Sequence, residues 1–217
     1  MLCLCLAAAG AFVVGSPARP AVSQEKPLKI VALGDSLTAG YGIAASRAFP
    51  AQLERALKDR GHAVEIINAG VSGDTATGGL ARLDWSVPED ADAVIVELGA
   101  NDALRGIDPQ VTEKALETIL KRLTERKIPV LLAGMRAPRN LGADYAARFD
   151  GIFPALAKKY GTLLYPFFLN DVATIRALNL PDGVHPTEEG VAVIVRGLLP
   201  MAEELIALAK QSRAARS

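Results

Sequence analysis

Apolar positions along the chain fall into two alternating patterns. Residues 28–33 form a short apolar run that stops at Gly34. Similar runs occupy 63–69, which stops at Gly70, 93–98, with Val-Ile-Val at its centre and Gly99 after it, 129–133, and the shorter 162–165. Between these runs the apolar residues recur every three or four positions, the spacing of one helix face. The segment 50–60 carries Leu53, Ala56 and Leu57 on that spacing and stops at Gly61. The segment 108–127 has Asp108 as a cap, Pro109 in the first turn and a stripe of Leu116, Ile119, Leu120 and Leu123. The segment 144–160 is expected to kink at Pro154, and 187–210 to bend or split near Pro200.

Five apolar strands separated by helices imply an α/β fold with a parallel sheet covered on both faces. In such folds ligands bind beyond the carboxyl ends of the strands. Ser36 follows the first strand, Gly73 the second and Asn101 the third. Three loops that carry reactive or donor groups are thus expected along one edge of the sheet.

Length and composition narrow the reading. The 217 residues suit one compact domain, taken as 24–217. Lys plus Arg and Asp plus Glu both total 24, so no charge bias points to nucleic acid or an anionic membrane. Residues 2–14 are apolar and uncharged, too short to span a bilayer as an ordinary helix of about 20 residues. They match the core of a secretory signal, with small residues at Ser16-Pro17-Ala18 and Ala21-Val22-Ser23 offering cleavage sites. Residues 1–23 are therefore expected to be a signal peptide and linker, cleaved to leave a periplasmic or secreted protein; a retained tether is the alternative. Cys3 and Cys5 both lie in this segment, so a cleaved chain has no thiol chemistry. The histidines are His62 and His185, outside any His-Glu-x-x-His pattern, which argues against a zinc hydrolase.

The remaining chemistry centres on two short segments. Gly34-Asp35-Ser36-Leu37 ends the first strand with a turn that can open a helix, its free amides directed at the serine. Asp35 reads as a structural residue that binds turn amides. A serine hydroxyl needs a base within hydrogen-bond reach. Asp182-Gly183-Val184-His185-Pro186 offers one: Gly183 permits a tight turn in which Asp182 holds the His185 ring. His62, in a helix-to-strand turn, reads as a surface residue. The Ser36 and Gly73 amides and the Asn101 side chain are candidate donors to an oxyanion, though Gly73 and Asn101 taken singly also fit ordinary turns. Asp74 and Asp102 read as loop structure.

Taken together, Gly34-Asp35-Ser36-Leu37, Gly73, Gly99-x-Asn101-Asp102 and Asp182-x-x-His185, in that order over nearly the whole chain, resemble the GDSL, or SGNH, hydrolase family. The segments 70–82, 97–106 and 166–169 are similar to its bacterial periplasmic thioesterase and arylesterase branch. The resemblance implies a flavodoxin-like three-layer α/β/α sandwich with a five-stranded parallel sheet. It also implies Ser36, Asp182 and His185 as a catalytic triad, Ser36, Gly73 and Asn101 as oxyanion donors, and an acyl-enzyme route that needs neither metal nor cofactor. The substrates implied are aryl esters, lysophospholipids and acyl thioesters. Ala100 departs from the pattern, which often has glycine there. Gly-x-Ser-x-Gly, the mark of ordinary α/β-hydrolases, is absent around Ser36.

A neutral His185 is required as base, so activity is expected to rise from acid pH toward neutrality. The loop 103–108 can, by the resemblance, close over the acyl chain. Leu104 and Ile107 either line an apolar groove there or anchor the loop. Residues 166–169 and Trp85 read as packing more than as a substrate wall. A small-molecule acyl ester or thioester is the expected partner, for a monomer with no obligatory protein partner and no nucleic acid. A carbohydrate O-deacetylase and an inactive binding protein on the same scaffold are the rival readings.

Overall fold

The computed structural model describes residues 26–216. The signal-like segment and both cysteines lie outside the described residues. Five strands form one sheet: β1 (Leu28–Gly34), β2 (Val64–Gly70), β3 (Ala93–Glu97), β4 (Val130–Ala133) and β5 (Leu163–Tyr165), in the order β2-β1-β3-β4-β5, every neighbouring pair parallel. Residues of β3 and β4 are buried throughout, and β1 has one half-buried position. The edge strand β2 alternates buried with exposed or half-buried positions along its first four residues, as a strand with one covered face should.

The helices follow from this order. The chain steps from β1 to β2 in one direction and from β2 through β3 to β5 in the other. Right-handed crossovers then put the intervening helices on opposite faces. Accordingly α2 (Phe49–Asp59) packs against α8 (Glu188–Arg216), while α6 (Pro109–Glu125) packs against α3 (Ala76–Ala81) and α7 (Ala143–Tyr160). This is the three-layer α/β/α arrangement. Phe49 meets Phe168 edge-on at 5.0 Å on the first side, and Phe149 meets Phe153 at 5.8 Å on the second. Each such fully buried side chain stabilises the fold by roughly 1.5–3 kcal/mol.

Several local expectations change. Pro200 lies inside α8, which continues unsplit to Arg216, and Pro154 lies inside α7. Burial explains the tolerance: Leu198, Leu199, Ala202 and Leu205 are all packed on the sheet side, so tertiary contact outweighs the lost backbone bond. The turn after Gly34 opens the short helix α1 (Ser36–Ala39), as its sequence allows, and three further short helices appear that the spacing did not predict: α3, α4 (Leu83–Ser86) and α5 (Ala100–Leu104). Trp85, expected to pack, is 78% exposed.

Candidate active site

Sheet order brings three strand ends side by side, with the reversal of chain direction between β1 and β3. At the end of β1, Asp35 caps α1 by accepting the Leu37 amide at 2.9 Å, which turns Ser36 into the first helical position. Gly34 is required for this turn: a Cβ there would lie 2.0 Å from Thr38 Oγ1. The turn rests on a buried acid. Glu97, at the end of β3, is fully buried and accepts the Thr38 hydroxyl at 2.7 Å and the Asp35 amide at 3.4 Å. Its other oxygen has no hydrogen-bond partner. Burial, with the neighbouring Asp35 charge, raises the Glu97 carboxyl well above the usual range. Burial likewise pushes Asp35 up to about 6, against the lowering effect of its bonds from Leu37 and Asn101.

The second component comes from the loop before α8. Asp182 Oδ1 accepts the amides of Val184 at 2.9 Å and His185 at 3.0 Å, and Oδ2 lies 2.7 Å from His185 Nδ1. Gly183 has a φ of +70°, which permits so tight a turn. The two amides, followed by the imidazole, hold the Asp182 carboxyl down at about 2. A carboxylate only accepts, so the proton on Nδ1 points at Asp182 and Nε2 is left as an acceptor. That Nε2 lies 2.9 Å from Ser36 Oγ. A hydroxyl, an imidazole and a carboxylate in this chain can pass the hydroxyl proton to the ring as the oxygen attacks an acyl carbon. The Tyr41 ring, which the sequence reasoning passed over, lies on the imidazole with centroids 4.4 Å apart.

Donor groups border the serine. The Ser36 and Gly73 amides donate to no other group among the described residues. Gly73 adopts a φ of +86°. The Asn101 amide nitrogen donates to Asp35 Oδ2 at 3.1 Å and to the Asp74 carbonyl at 2.9 Å, so an oxyanion would compete with one of these acceptors. Arg82 ties the loops together. Its buried guanidinium binds the carbonyls of Gly34 and Ala69, each at 2.8 Å, and the Asp74 carboxylate at 2.6 Å. Asp102 accepts the Ala76 amide and the Thr112 hydroxyl, both at 2.9 Å. Asp35 and Asp74 thus hold the turns around Ser36, whereas Asp102, read as loop structure, sits in α5 and ties it to α3 and α6. His62 lies away from Ser36 and pairs with Glu203 at 3.3 Å.

A groove of about 560 Å³ opens beside Ser36. Leu104 lines it with Met135, Arg136 and Phe167. Ile107 stands outside this lining and offers its carbonyl to the Tyr145 hydroxyl at 2.8 Å, which makes it a loop anchor. Gly73 is also outside, on the β2 side of Ser36. The segment 166–169 divides: Phe168 is core, while Phe167 and Leu169 face the groove. Among the described residues no cluster of three or more His, Cys, Asp or Glu could hold a metal ion.

Residues 32–193 match the GDSL-like lipase/acylhydrolase family. The arylesterase of Vibrio mimicus is 39% identical over 162 residues, covering 74% of this chain and 81% of its own. The thioesterase 1/protease 1/lysophospholipase L1 of Escherichia coli is 37% identical over 178 residues, covering 82% of this chain and 84% of its own. Among solved structures, the SGNH-hydrolase family esterase AlinE4 superposes with a TM-score of 0.72 at 48% identity, over 84% of this chain and 98% of that one.

Proposed function

The chain belongs to the GDSL-like lipase/acylhydrolase family, and from that membership we propose a mechanism in which Ser36 is the nucleophile, His185 the base and Asp182 its orienting carboxylate. The protein is a carboxylic ester hydrolase of the arylesterase and thioesterase type, acting on small-molecule esters and thioesters. The observation that carries the residue roles is the continuous chain from Ser36 Oγ to His185 Nε2 at 2.9 Å and from Nδ1 to Asp182 at 2.7 Å.

In the first half-reaction His185 takes the hydroxyl proton while Ser36 Oγ adds to the acyl carbon. The developing oxyanion is met by the Ser36 and Gly73 amides and the Asn101 side chain. His185 then gives its proton to the leaving alcohol or thiol. Water, deprotonated by the same ring, attacks the acyl-enzyme and releases the acid. The Asp182 carboxylate stabilises the imidazolium at each stage.

Leu104, Met135 and Phe167 favour a substrate with an apolar acyl chain over an acetyl group on a sugar. The reading includes a monomer exported to the periplasm or beyond, without a nucleic-acid or obligatory protein partner, in keeping with its balanced charge. A fluorophosphonate probe should label Ser36 in the folded protein, and Ser36→Ala should retain folding but lose hydrolysis of p-nitrophenyl esters. Labelling elsewhere, or activity surviving the substitution, would remove Ser36 from its role.

A further inference from the structure

The groove beside Ser36 has a polarity that ester cleavage alone does not require. Its lining contains two arginines and no carboxylate. Arg139 is paired with Asp150 at 2.8 Å. Arg136 is exposed and has no carboxylate partner among the described residues; its guanidinium lies over the Phe167 ring, 4.9 Å from the centroid. Stacking on an aromatic face fixes the guanidinium plane and leaves its edge N–H groups available for a bidentate acceptor.

Strand order sets where that charge stands. Ser36 follows β1, Asn101 follows β3, Arg136 follows β4 and Phe167 follows β5. Neighbouring strands are about 4.8 Å apart, so the strand before Arg136 lies roughly 10 Å along the sheet from the one before Ser36. Leu104 and Met135 also line the groove and are apolar. A chain bound in it would meet apolar side chains near the scissile carbonyl and a cation further on.

We propose that the groove accepts acyl groups whose far end is a carboxylate, that is, monoesters and monothioesters of medium-length dicarboxylic acids, with Arg136 binding the distal carboxylate. This rests on the assignment of Ser36 as nucleophile. The chemistry is unchanged: water adds across the acyl bond, and a free dicarboxylic acid and the alcohol or thiol leave. Arg136 confers specificity and takes no part in bond breaking.

The test compares p-nitrophenyl octanoate with the mono-p-nitrophenyl ester of suberic acid, which has the same length and differs in ending in a carboxylate. In the unaltered protein the ratio of kcat/KM for the suberyl ester to that for the octanoyl ester should fall at high salt. Arg136→Met should lower that ratio about 3- to 10-fold, chiefly through KM for the suberyl ester. Arg136→Lys should restore part of it, and Arg136→Glu should lower it further. A ratio unchanged across the variants, with both esters cleaved, overturns the inference and leaves the hydrolase reading standing. Cleavage of neither ester by the unaltered protein rejects the hydrolase reading, and the inference falls with it.

Discussion

Asn101 donates a hydrogen bond to the Asp35 carboxylate across 3.1 Å, linking the loop after β3 to the turn that presents Ser36. The bond orients an amide beside the serine hydroxyl, but it also occupies one of that amide's two hydrogens; the Asp74 carbonyl takes the other. Asn101→Ala should lower kcat about 100- to 1000-fold, as expected when a donor to the oxyanion is removed. Asp35→Ala should lower kcat by less, roughly tenfold, because the donor survives with its orientation loosened. KM should change little in either case. Steady-state kinetics on one ester checks both, and an effect confined to KM in Asn101→Ala would contradict the assignment.

The same carboxyl makes stability depend on pH. Burial raises Asp35 from 3.8 to about 6, so the folded chain holds this proton more tightly than the unfolded chain. Its contribution is fully present below pH about 4 and is lost as pH rises to about 6 and beyond. Glu97, raised by burial and by Asp35, acts with the same sign. Beside burial and the bonds from Leu37 and Asn101, the His185 charge lowers Asp35 and the Asp102 charge raises it, while the Asp35 charge raises Glu97. Asp35→Asn lacks the proton uptake, so its melting temperature relative to the unaltered protein should climb between pH about 4 and 7. A constant difference across that range would refute this account.

Glu97 supports the turn from below, with one oxygen unpaired in the interior. Glu97→Gln removes a charge that burial disfavours and keeps an acceptor for Thr38, so stability at neutral pH should hold or rise. Glu97→Ala leaves a cavity under Asp35 and should cost about 2–4 kcal/mol. Denaturant titration of the two variants would show it. Equal loss in both would mean that the ionised carboxylate itself is needed.

Asp182 responds in the opposite sense. The amides of His185 and Val184 hold it at about 2, below its usual 3.8. Its contribution to stability is present above pH about 4 and is lost as pH falls to about 2. It therefore stays ionised where esterase activity is measured. Asp182→Asn should lower kcat about 100- to 10,000-fold, and should also lower the melting temperature near neutrality, by an amount that shrinks as pH falls below about 4. A fall of less than tenfold would show that the turn orients the imidazole without the carboxylate.

Tyr41 covers the His185 ring at 4.4 Å and is itself half-exposed. An aromatic face near a cation stabilises it by about 0.5–1 kcal/mol at exposed sites, which corresponds to a change of about 2- to 5-fold in rate if the imidazolium forms in the transition state. Tyr41→Ala should lower kcat by that factor, and Tyr41→Phe should leave it unchanged, since the ring supplies the effect. Equal losses in both would assign the effect to the hydroxyl.

Legibility from sequence differed between elements for physical reasons. The five strands and the helices α2, α6, α7 and α8 were readable because burial on one or both faces imprints a period on the residues. The short helices α1, α3, α4 and α5 have four to six residues each, too few to display a period. Asp35 as a cap could be read from its place before Ser36, since capping is a contact between near neighbours. Glu97, Arg82 and Tyr41 could not be read as site supports. Each acts on partners in other segments, and a charged residue at a strand end or an exposed tyrosine has no local mark of what it will touch. Ile107 was half legible: its loop was identified, but not that its carbonyl would receive the Tyr145 hydroxyl.

The amino-acid order by itself determined the alternation of strands and helices and the placing of Ser36, Gly73 and Asn101 just after apolar runs. These are local consequences of side-chain spacing and backbone preference. Tertiary structure alone decided that Ser36 and His185, 149 residues apart, meet at 2.9 Å, and that Arg136 lies over Phe167 within a groove free of carboxylates. Those meetings depend on which strands become neighbours. The burial pattern of a strand separates a central position from an edge one, but it does not say which strands lie next to each other.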